Sequence, residues 1–388
     1  MSRQPGAVWA VAFACVVSFM GIGLVDPILP AIAEQLHASS TQSEMLFTTY
    51  LALTGVAMFF TSWVSSRIGT KRTILIGLSL VVAFALACGL SPAVAPIIGF
   101  RAGWGIGNAL FISTALAAIV SAAVGGSANA IILYETALGV GMAFGPLTGG
   151  ALGSISWRLP FFGTATLMVI GIIAIALLLK NGHNAHPAPV KLSAPFKALR
   201  DPGMGTMGAA AFFYNMAFFT TLAFPPFALA RLGVRDPLVL GGVFFGWGAL
   251  LAVAAVFVAP RLTQVVRRTT VLIGAEVALA VILVAAAVLS GSVVGIIVCV
   301  VLAGIPLGLL NTVLTECSME ASDLPRPVAS STYSGCRFLG GAIAPPLCTV
   351  LAGAAGVWVP FVYGAAMILV SGGIIAVRRG ALARADAA

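Results

Sequence analysis

Several ionisable side chains lie within long apolar stretches of this sequence, and Asp26, Arg101 and Glu135 are the best candidates for chemistry. Asp26, counted from the start of its apolar run, and Arg101, counted back from the end of its run, each lie about 30 Å from the predicted cytoplasmic face, at the helical rise of about 1.5 Å per residue. Because ionised groups in apolar surroundings are costly and usually functional, we expect Asp26 and Arg101 to interact, directly or through water.

A carboxyl group in such a place can exchange a proton. A neighbouring cation favours the ionised carboxylate and burial favours the protonated acid, so a change in surroundings would load or release a proton at Asp26. Glu135 is the second candidate for such a proton site. The alternatives are a fixed structural ion pair for Asp26 and Arg101, and for Glu135 a position at the edge of the apolar region. Arg337 also lies within an apolar run and needs an acidic partner, with Glu135, Glu276 and Glu316 as the options.

A second set of residues combines aromatic rings with a few polar groups. The stretch 211–227 reads AFFYNMAFFTTLAFPPF. An aromatic wall with few polar groups suits apolar or amphipathic ligands. The alternative for each residue is ordinary packing against lipid or a neighbouring helix. The candidate substrate-binding residues are Tyr214, Asn215, Phe218, Asn108 and Asn311.

The composition indicates which elements must hold these residues. Charged residues make up 8% of the chain and hydrophobic residues 60%, whereas soluble proteins average about 25% charged residues. Apolar runs long enough to cross a bilayer recur along the whole chain. Because backbone groups in hydrocarbon must be satisfied within the segment, we predict an all-α membrane protein, and the runs lack the alternation of a barrel. The twelve predicted spans are 7–33, 42–66, 70–90, 93–122, 127–152, 157–180, 204–231, 237–260, 269–290, 292–319, 326–353 and 357–377.

The net charge of +9 indicates orientation in a membrane rather than nucleic-acid binding. With the amino terminus placed in the cytoplasm, fifteen basic residues fall on the cytoplasmic side and three on the opposite side. Basic loops favour the cytoplasm, so we expect a multi-pass plasma-membrane protein with both termini cytoplasmic. The fifteen are Arg3, Arg67, Lys71, Arg72, Lys180, Lys191, Lys197, Arg200, Arg261, Arg267, Arg268, Arg326, Arg378, Arg379 and Arg384, and the three are Arg158, Arg231 and Arg235.

The longest polar stretch, at 180–202, predicts a cytoplasmic linker between two groups of six spans. We therefore predict an amino-terminal bundle at 1–180, a linker at 181–203 and a carboxyl-terminal bundle at 204–388. Two short stretches recur in both halves: KRTILIG at 71–77 and RTTVLIG at 268–274, then GMAFGP at 141–146 and GGAIAP at 340–345. Many secondary transporters are built by such duplication, with the substrate site between the halves. Chance similarity in a biased composition is the alternative.

Four motifs lie in or beside the spans. The second span is followed by SWVSSRIGTKRTIL (62–75), and the fourth contains RAGWGIGNA (101–109). The fifth contains GMAFGPLTGG (141–150), and the first contains PILP (27–30). Small residues spaced by four form a groove for a neighbouring helix, and an internal proline bends its own helix. The stretch 41–44, TQSE, has the form of a capping box that opens the second span.

With these motifs the chain resembles the major facilitator superfamily, and specifically its twelve-span drug:proton antiporters. The loop signature is matched at Arg67, Gly69 and Lys71, but its aspartate is replaced by Ser66. In the family that aspartate meets the start of span eleven, so the resemblance implies a weaker latch here. The exporter motif of span five is matched at Gly141, Gly145, Pro146, Gly149 and Gly150. The resemblance implies that this surface meets the other half and gates access to one side.

The resemblance implies two pseudo-symmetric six-helix bundles and a proton-coupled antiporter that exports small lipophilic or amphipathic compounds, as in multidrug efflux and antibiotic resistance. Its partners would be cargo, protons and the lipid bilayer, without nucleic acid, and we expect a monomer. The alternatives are export of a native metabolite, lipid or siderophore, and a non-transporting membrane scaffold or sensor. No nucleotide-binding loop, nucleophile motif or metal-ligand spacing occurs in the sequence, so we expect neither cofactor, metal nor enzymatic activity.

Overall fold

The computed structural model describes residues 4–124, 126–179 and 189–387, and every regular element in these ranges is a helix. Six long helices precede the linker. They are α1 (Gly6–Gly23, continued by a 3₁₀ turn at Asp26–Ile28 and a short helix at Leu29–Gln35), α2 (Ser40–Ile68), α3 (Thr70–Leu90), α4 (Val94–Ala122), α5 (Gly126–Gly153) and α6 (Leu159–Leu178).

Six more long helices follow a short linker helix at Ala194–Ala198. They are α7 (Pro202–Ala223, continued at Pro225–Arg231), α8 (Pro237–Val253, continued by a π-helical segment at Ala254–Val258 and by Ala259–Leu262), α9 (Arg268–Val288), α10 (Val293–Glu320), α11 (Arg326–Ala355) and α12 (Val359–Val377). Within the described residues, eleven of these helices are long and apolar enough to cross a membrane, and α5 is the remaining long helix. When the short continuing segments are counted with their helices, the predicted span boundaries differ from the observed ones by about two residues at most.

Local sequence explains where several helices begin. α2 opens with a capping box in which Ser39 accepts from the backbone of Gln42 at 3.1 Å and Gln42 accepts from the backbone of Ser39 at 2.9 Å. The box predicted at 41–44 was therefore wrong, because the serine two residues earlier already satisfies the first backbone donors. Gly69, between α2 and α3, has a backbone φ of +87°, a value that residues with a Cβ rarely adopt.

Glycines hold equivalent helix pairs together in the two halves. A Cβ on Gly141, Gly145 or Gly149 of α5 would lie 2.3–2.7 Å from carbonyl oxygens of α1. On α11, a Cβ on Gly340 would lie 2.0 Å from the carbonyl oxygen of Phe212 in α7. Because α1–α5 and α7–α11 pair in the same way, this packing supports the internal duplication that the sequence predicts.

The expectation that the motif surface of α5 meets the other half holds for Pro146 and Gly150 but not for the glycine stripe. The stripe of Gly141, Gly145 and Gly149 packs inside its own half, since every backbone atom it approaches belongs to α1 or to Leu24, the residue directly after it. Contact with the other half uses a different face of α5. There, a Cβ on Gly150 would lie 2.4 Å from the carbonyl oxygen of Pro237 in α8, and a Cβ on Gly241 would lie 2.7 Å from that of Pro146.

A second contact between the halves joins α2 to α11. A Cβ on Gly55 would lie 2.8 Å from the backbone nitrogen of Leu339, and a Cβ on Gly335 would lie 2.4 Å from the Phe59 ring. Further along the same helices, the hydroxyl of Ser331 lies 3.4 Å from that of Ser62. The α2–α11 contact lies toward the end of the molecule that carries the linker helix, whereas the α5–α8 contact extends to the opposite end.

Candidate transport site

A small central cavity of about 40 Å³ lies where six helices of the two halves converge. This volume holds a few water molecules, each of which needs about 10–15 Å³. Its wall is aromatic and aliphatic with a few polar groups, and both halves contribute to it. From α1, α4 and α5 come Phe19, Ile22, Ile112, Leu116, Tyr134, Leu138 and Met142, and from α7, α10 and α11 come Asn215, Phe218, Phe219, Thr315, Met319, Ser330, Tyr333, Ser334, Arg337 and Phe338.

Arg337 is the cation of this cavity, and two asparagines position it. Its Nε donates to Oδ1 of Asn215 at 3.2 Å, and the Asn215 amide donates to the Arg337 carbonyl oxygen at 2.7 Å. A second guanidinium nitrogen donates to Oδ1 of Asn311. Asn215 and Asn311, predicted as cargo contacts, therefore converge on Arg337, and of the two only Asn215 lines the cavity.

Two of the acids considered as partners for Arg337 bond elsewhere. The Glu276 carboxyl lies 2.6 Å from the Ser371 hydroxyl, and Glu316 lies 3.6 Å from Arg268. The third, Glu135, belongs to α5, but its side chain lies outside the described residues. Its role as a proton site remains a prediction.

The aromatic candidates form one continuous set of rings in α7 and α8. Tyr214 is fully buried and lies 5.9 Å, centroid to centroid, from Phe218, which in turn lies 5.6 Å from Trp247. The Arg337 guanidinium lies 5.8 Å from the Tyr214 ring centroid. Phe218 lines the cavity, whereas Tyr214 lies behind it. Tyr214 is thus placed to support Arg337 rather than to line the cavity.

The amino-terminal half buries a different polar cluster away from the cavity lining. Asn108 accepts from Ser18 and donates to the Tyr50 hydroxyl. Arg101, with no exposed surface, has its guanidinium carbon 4.3 Å from the Tyr50 ring centroid and 4.8 Å from that of Trp104. The cluster thus joins α1, α2 and α4.

Arg101 also donates from Nε to the Leu46 carbonyl oxygen at 3.3 Å. The expected partner, Asp26, begins the 3₁₀ turn that follows α1, but its side chain lies outside the described residues. The interaction between Asp26 and Arg101 remains a prediction. The structure adds the aromatic cage around the arginine.

The residues of the loop signature lie at the linker end. The guanidinium of Arg67 lies 5.8 Å from the Trp63 ring centroid, and the Lys71 ammonium donates to the carbonyl oxygen of Ala176 in α6 at 2.8 Å. Ser66, which replaces the family's aspartate, accepts from the backbone nitrogen of Val190 in the linker at 3.3 Å. Its other bond is donated to the carbonyl oxygen of Trp63.

The linker segment 190–198 bridges the two halves at this end. The Phe196 ring stacks on that of Phe59 in α2, with centroids 5.1 Å apart and planes 14° apart. On the other side, Thr332 of α11 donates to the carbonyl oxygen of Pro195 at 3.3 Å. These neutral contacts lie where the family's charged latch is expected. Sequence spacing does not reveal them because the partners come from three separate segments of the chain, namely α2, the linker and α11.

A larger cavity of about 470 Å³ separates the halves at the opposite end. It lies between the short helix after α1 and the far ends of α7 and α11. The charged residues in its wall are Glu34, Arg231 and Arg235. The two halves therefore leave a cavity between them at this end, whereas the linker bridges them at the other.

This architecture, twelve long helices with a cavity between two related halves, defines a membrane transporter. The sequence profile of the Major Facilitator Superfamily matches residues 11–345, and the chain belongs to this superfamily. The prediction of the family and of its all-helical fold is confirmed.

Two relatives and one solved structure show how far the similarity extends. The chain is 50% identical over 370 residues to the multidrug efflux protein YfmO of Bacillus subtilis, a match covering 95% of this chain and 91% of the relative. It is 29% identical over 190 residues to the tetracenomycin C resistance and export protein of Streptomyces glaucescens, covering 47% of this chain and 35% of that protein. The human organic anion transporter MFSD10 shares the fold, with a TM-score of 0.77, 14% identity, and coverage of 96% of this chain and 100% of that structure.

Proposed function

We propose that this protein exports small lipophilic or amphipathic compounds in exchange for protons, by alternating access of the central cavity to the two sides of the membrane. The observation that carries the proposal is the central cavity, which residues of both halves line. Its volume of about 40 Å³ is far below the roughly 300–1,000 Å³ of ligand pockets, so cargo requires the halves to separate. The 50% identical relative named as a multidrug efflux protein supports export.

The proposed moving parts are the bundles at 1–180 and 204–388, joined by the linker at 181–203. The basic residues at the linker end assign that end, and both termini, to the cytoplasm by the positive-inside rule. On this assignment the larger cavity faces outward, and the conformation is one that has closed toward the cytoplasm. A single chain contains both halves of the site, so we expect the monomer to be the working unit, in the plasma membrane.

Protons are the proposed energy source, and Asp26, Arg101 and Glu135 are the proposed coupling residues. One charge crossing about 100 mV gains about 2.3 kcal/mol, which a carboxyl facing each side in turn can use for uphill export. The Arg101 cage lies in the amino-terminal half, apart from the cavity wall, so proton and cargo would occupy different places. Such separation allows exchange through conformation rather than through direct competition.

The cavity wall suggests the class of cargo. Phe19, Phe218 and Phe219 offer rings to an apolar body, and the Asn215–Arg337 pair offers donors to oxygen acceptors. A compound with an apolar ring system and one or two acceptor groups fits this combination.

The proposal is tested with purified protein in sealed liposomes. An imposed pH gradient should drive uptake of a lipophilic dye, and dye movement should in turn shift internal pH. Asp26→Asn should abolish both fluxes while leaving dye binding intact, because the asparagine keeps the shape and loses the proton. Arg72→Gln, which neutralises an exposed charge at the linker end, is the control and should transport normally. Absence of any dye or proton flux in the unsubstituted protein would refute the proposal.

A further inference from the structure

A buried carboxyl in the carboxyl-terminal half lies outside both the cavity and the proposed coupling residues. Glu276 lies on α9, about 12 Å from its cytoplasmic start by helical rise, and is 1% exposed. It faces α7 and α12, and a Cβ on Gly372 of α12 would lie 2.8 Å from its Oε2. Glycine at that position thus leaves room for the carboxyl group between the helices.

The hydrogen bonds around Glu276 indicate its protonation state. The hydroxyl oxygen of Ser371 lies 2.6 Å from Glu276 Oε1 and 3.0 Å from the carbonyl oxygen of Ala210 in α7. A hydroxyl group has one hydrogen and can donate it to only one of these two acceptors. Both contacts become hydrogen bonds if the carboxyl is protonated and donates to Ser371, which then donates to Ala210.

The charge environment favours the same assignment. Within the described residues, Glu276 Oε2 has no hydrogen-bond partner. Ser371 and Gly372 of α12 lie against the Glu276 carboxyl, the Ala210 carbonyl of α7 lies beyond Ser371, and all three are uncharged. An ionised carboxylate held by one hydroxyl in an apolar crevice would be costly.

The charged groups of the adjoining elements make their contacts with groups other than Glu276. They lie at the cytoplasmic start of α9, where Arg268 pairs with Glu320 at 2.6 Å and Glu316 at 3.6 Å. Asp386 accepts from the backbone nitrogen and hydroxyl of Thr269. No member of this cluster bonds to Glu276 in the part of the chain that the structure describes.

We propose that Glu276 is a proton-binding site of the carboxyl-terminal half, protonated in this conformation through the chain Glu276–Ser371–Ala210 and ionised when the crevice between α7, α9 and α12 admits water. In the binding step a proton joins one carboxylate oxygen, and in release it passes to water on the cytoplasmic side. Because the ionised form needs water that the closed crevice excludes, proton release and loosening of these three helices are coupled. The role of Glu276 in the transport cycle rests on the proposed proton exchange, whereas the protonation of Glu276 in this conformation does not depend on it.

Infrared difference spectroscopy on the purified protein tests protonation without any transport. At neutral pH the unsubstituted protein should show a protonated-carboxyl band that Glu276→Gln removes and Ser371→Ala shifts, because the alanine removes its hydrogen-bond acceptor. Glu316→Gln, at a carboxyl paired with Arg268, is the matched control and should leave the band unchanged. A spectrum without a band sensitive to Glu276→Gln would overturn the proposal. If Glu276→Gln does not fold, an unshifted spectrum in Ser371→Ala overturns it instead.

Transport measurements test whether the proton is released during the cycle. Glu276→Gln imitates the protonated acid and cannot release a proton, so pH-driven dye transport should fall about tenfold or more with dye binding unchanged. If Glu276→Gln transports dye at the rate of the unsubstituted protein, and the unsubstituted protein shows the infrared band, then Glu276 is protonated but does not release its proton during the cycle. If the unsubstituted protein itself moves neither dye nor protons, the proposed function fails, and the infrared result still decides the protonation of Glu276.

Discussion

The two halves place their membrane-embedded arginines in opposite kinds of surroundings. Arg101 in α4 has no exposed surface and lies against the rings of Tyr50 and Trp104. Arg337 in α11 is only partly buried, lines the central cavity and is fixed by two asparagine side chains. One arginine is part of the packing of its half, and the other is presented to whatever enters between the halves.

This difference is informative because the surrounding helices pair in the same way. In both halves, glycines of the fifth helix bring its backbone against that of the first, as α5 on α1 and α11 on α7. Equivalent frameworks therefore carry different chemistry. We infer that the amino-terminal half supplies a fixed, shielded charge that tunes a proton site, whereas the carboxyl-terminal half supplies a hydrogen-bonding surface for cargo.

Arg101→Ala should have the largest effect, and it should act on folding. Each desolvated cation–π contact contributes up to about 2 kcal/mol, so removal of both, with the lost packing, should destabilise the protein by about 3 kcal/mol or more. Thermal unfolding in detergent measures this. Arg101→Lys keeps the charge without the planar guanidinium, so its unfolding temperature should lie between those of the unsubstituted protein and Arg101→Ala. If Arg101→Ala unfolds at the same temperature as the unsubstituted protein, the cage is dispensable for stability.

Arg337→Gln should act on cargo rather than on stability. Hydrogen bonds to a charged group contribute about 1.5–3 kcal/mol, so affinity for an amphipathic dye with a carboxylate should fall at least about tenfold. A cationic dye of similar size should bind no more weakly than before, because the cavity loses a positive charge. Fluorescence titration of both dyes separates the cases. Equal loss for both dyes would indicate a general collapse of the cavity and would remove the contrast between the two arginines.

The helices could be predicted from the sequence because a bilayer constrains them strongly. Every span had to satisfy its own backbone, so apolar run length and loop charge were enough to place twelve helices. The partner of the glycine stripe on α5 could not be obtained in this way. A GxxxG pattern predicts that some helix approaches closely, but α1 and α8 are equally apolar, and only the three-dimensional packing shows that Gly145 faces Met20 of α1.

The sequence was enough to select several residues of the site by their type, but not to identify the side chains that they contact. Asn215 and Phe218 stood out as a polar group and a ring in an aromatic stretch, and both line the cavity. Arg337 was recognised only as a cation in need of an acid, because sequence spacing does not reveal that amides from α7 and α10 would reach it. The cage around Arg101 was missed for the same reason, since Tyr50 belongs to a different helix.

The smallest expected effect concerns the linker, which holds the two contrasting halves together at one end. Phe196→Ala removes a stacked pair that contributes about 0.5–1.5 kcal/mol, so it should shift the population toward the cytoplasm-open form by a factor of about ten at most. Distances between spin labels on α2 and α11 measure the shift. Leu192→Ala, at a comparably exposed linker residue, should leave the distances unchanged. If both substitutions open the molecule equally, the equilibrium between the closed and open forms depends on the composition of the linker and not on the Phe196 stack. The neutral contacts around Ser66 would then not substitute for the charged contact expected from the family.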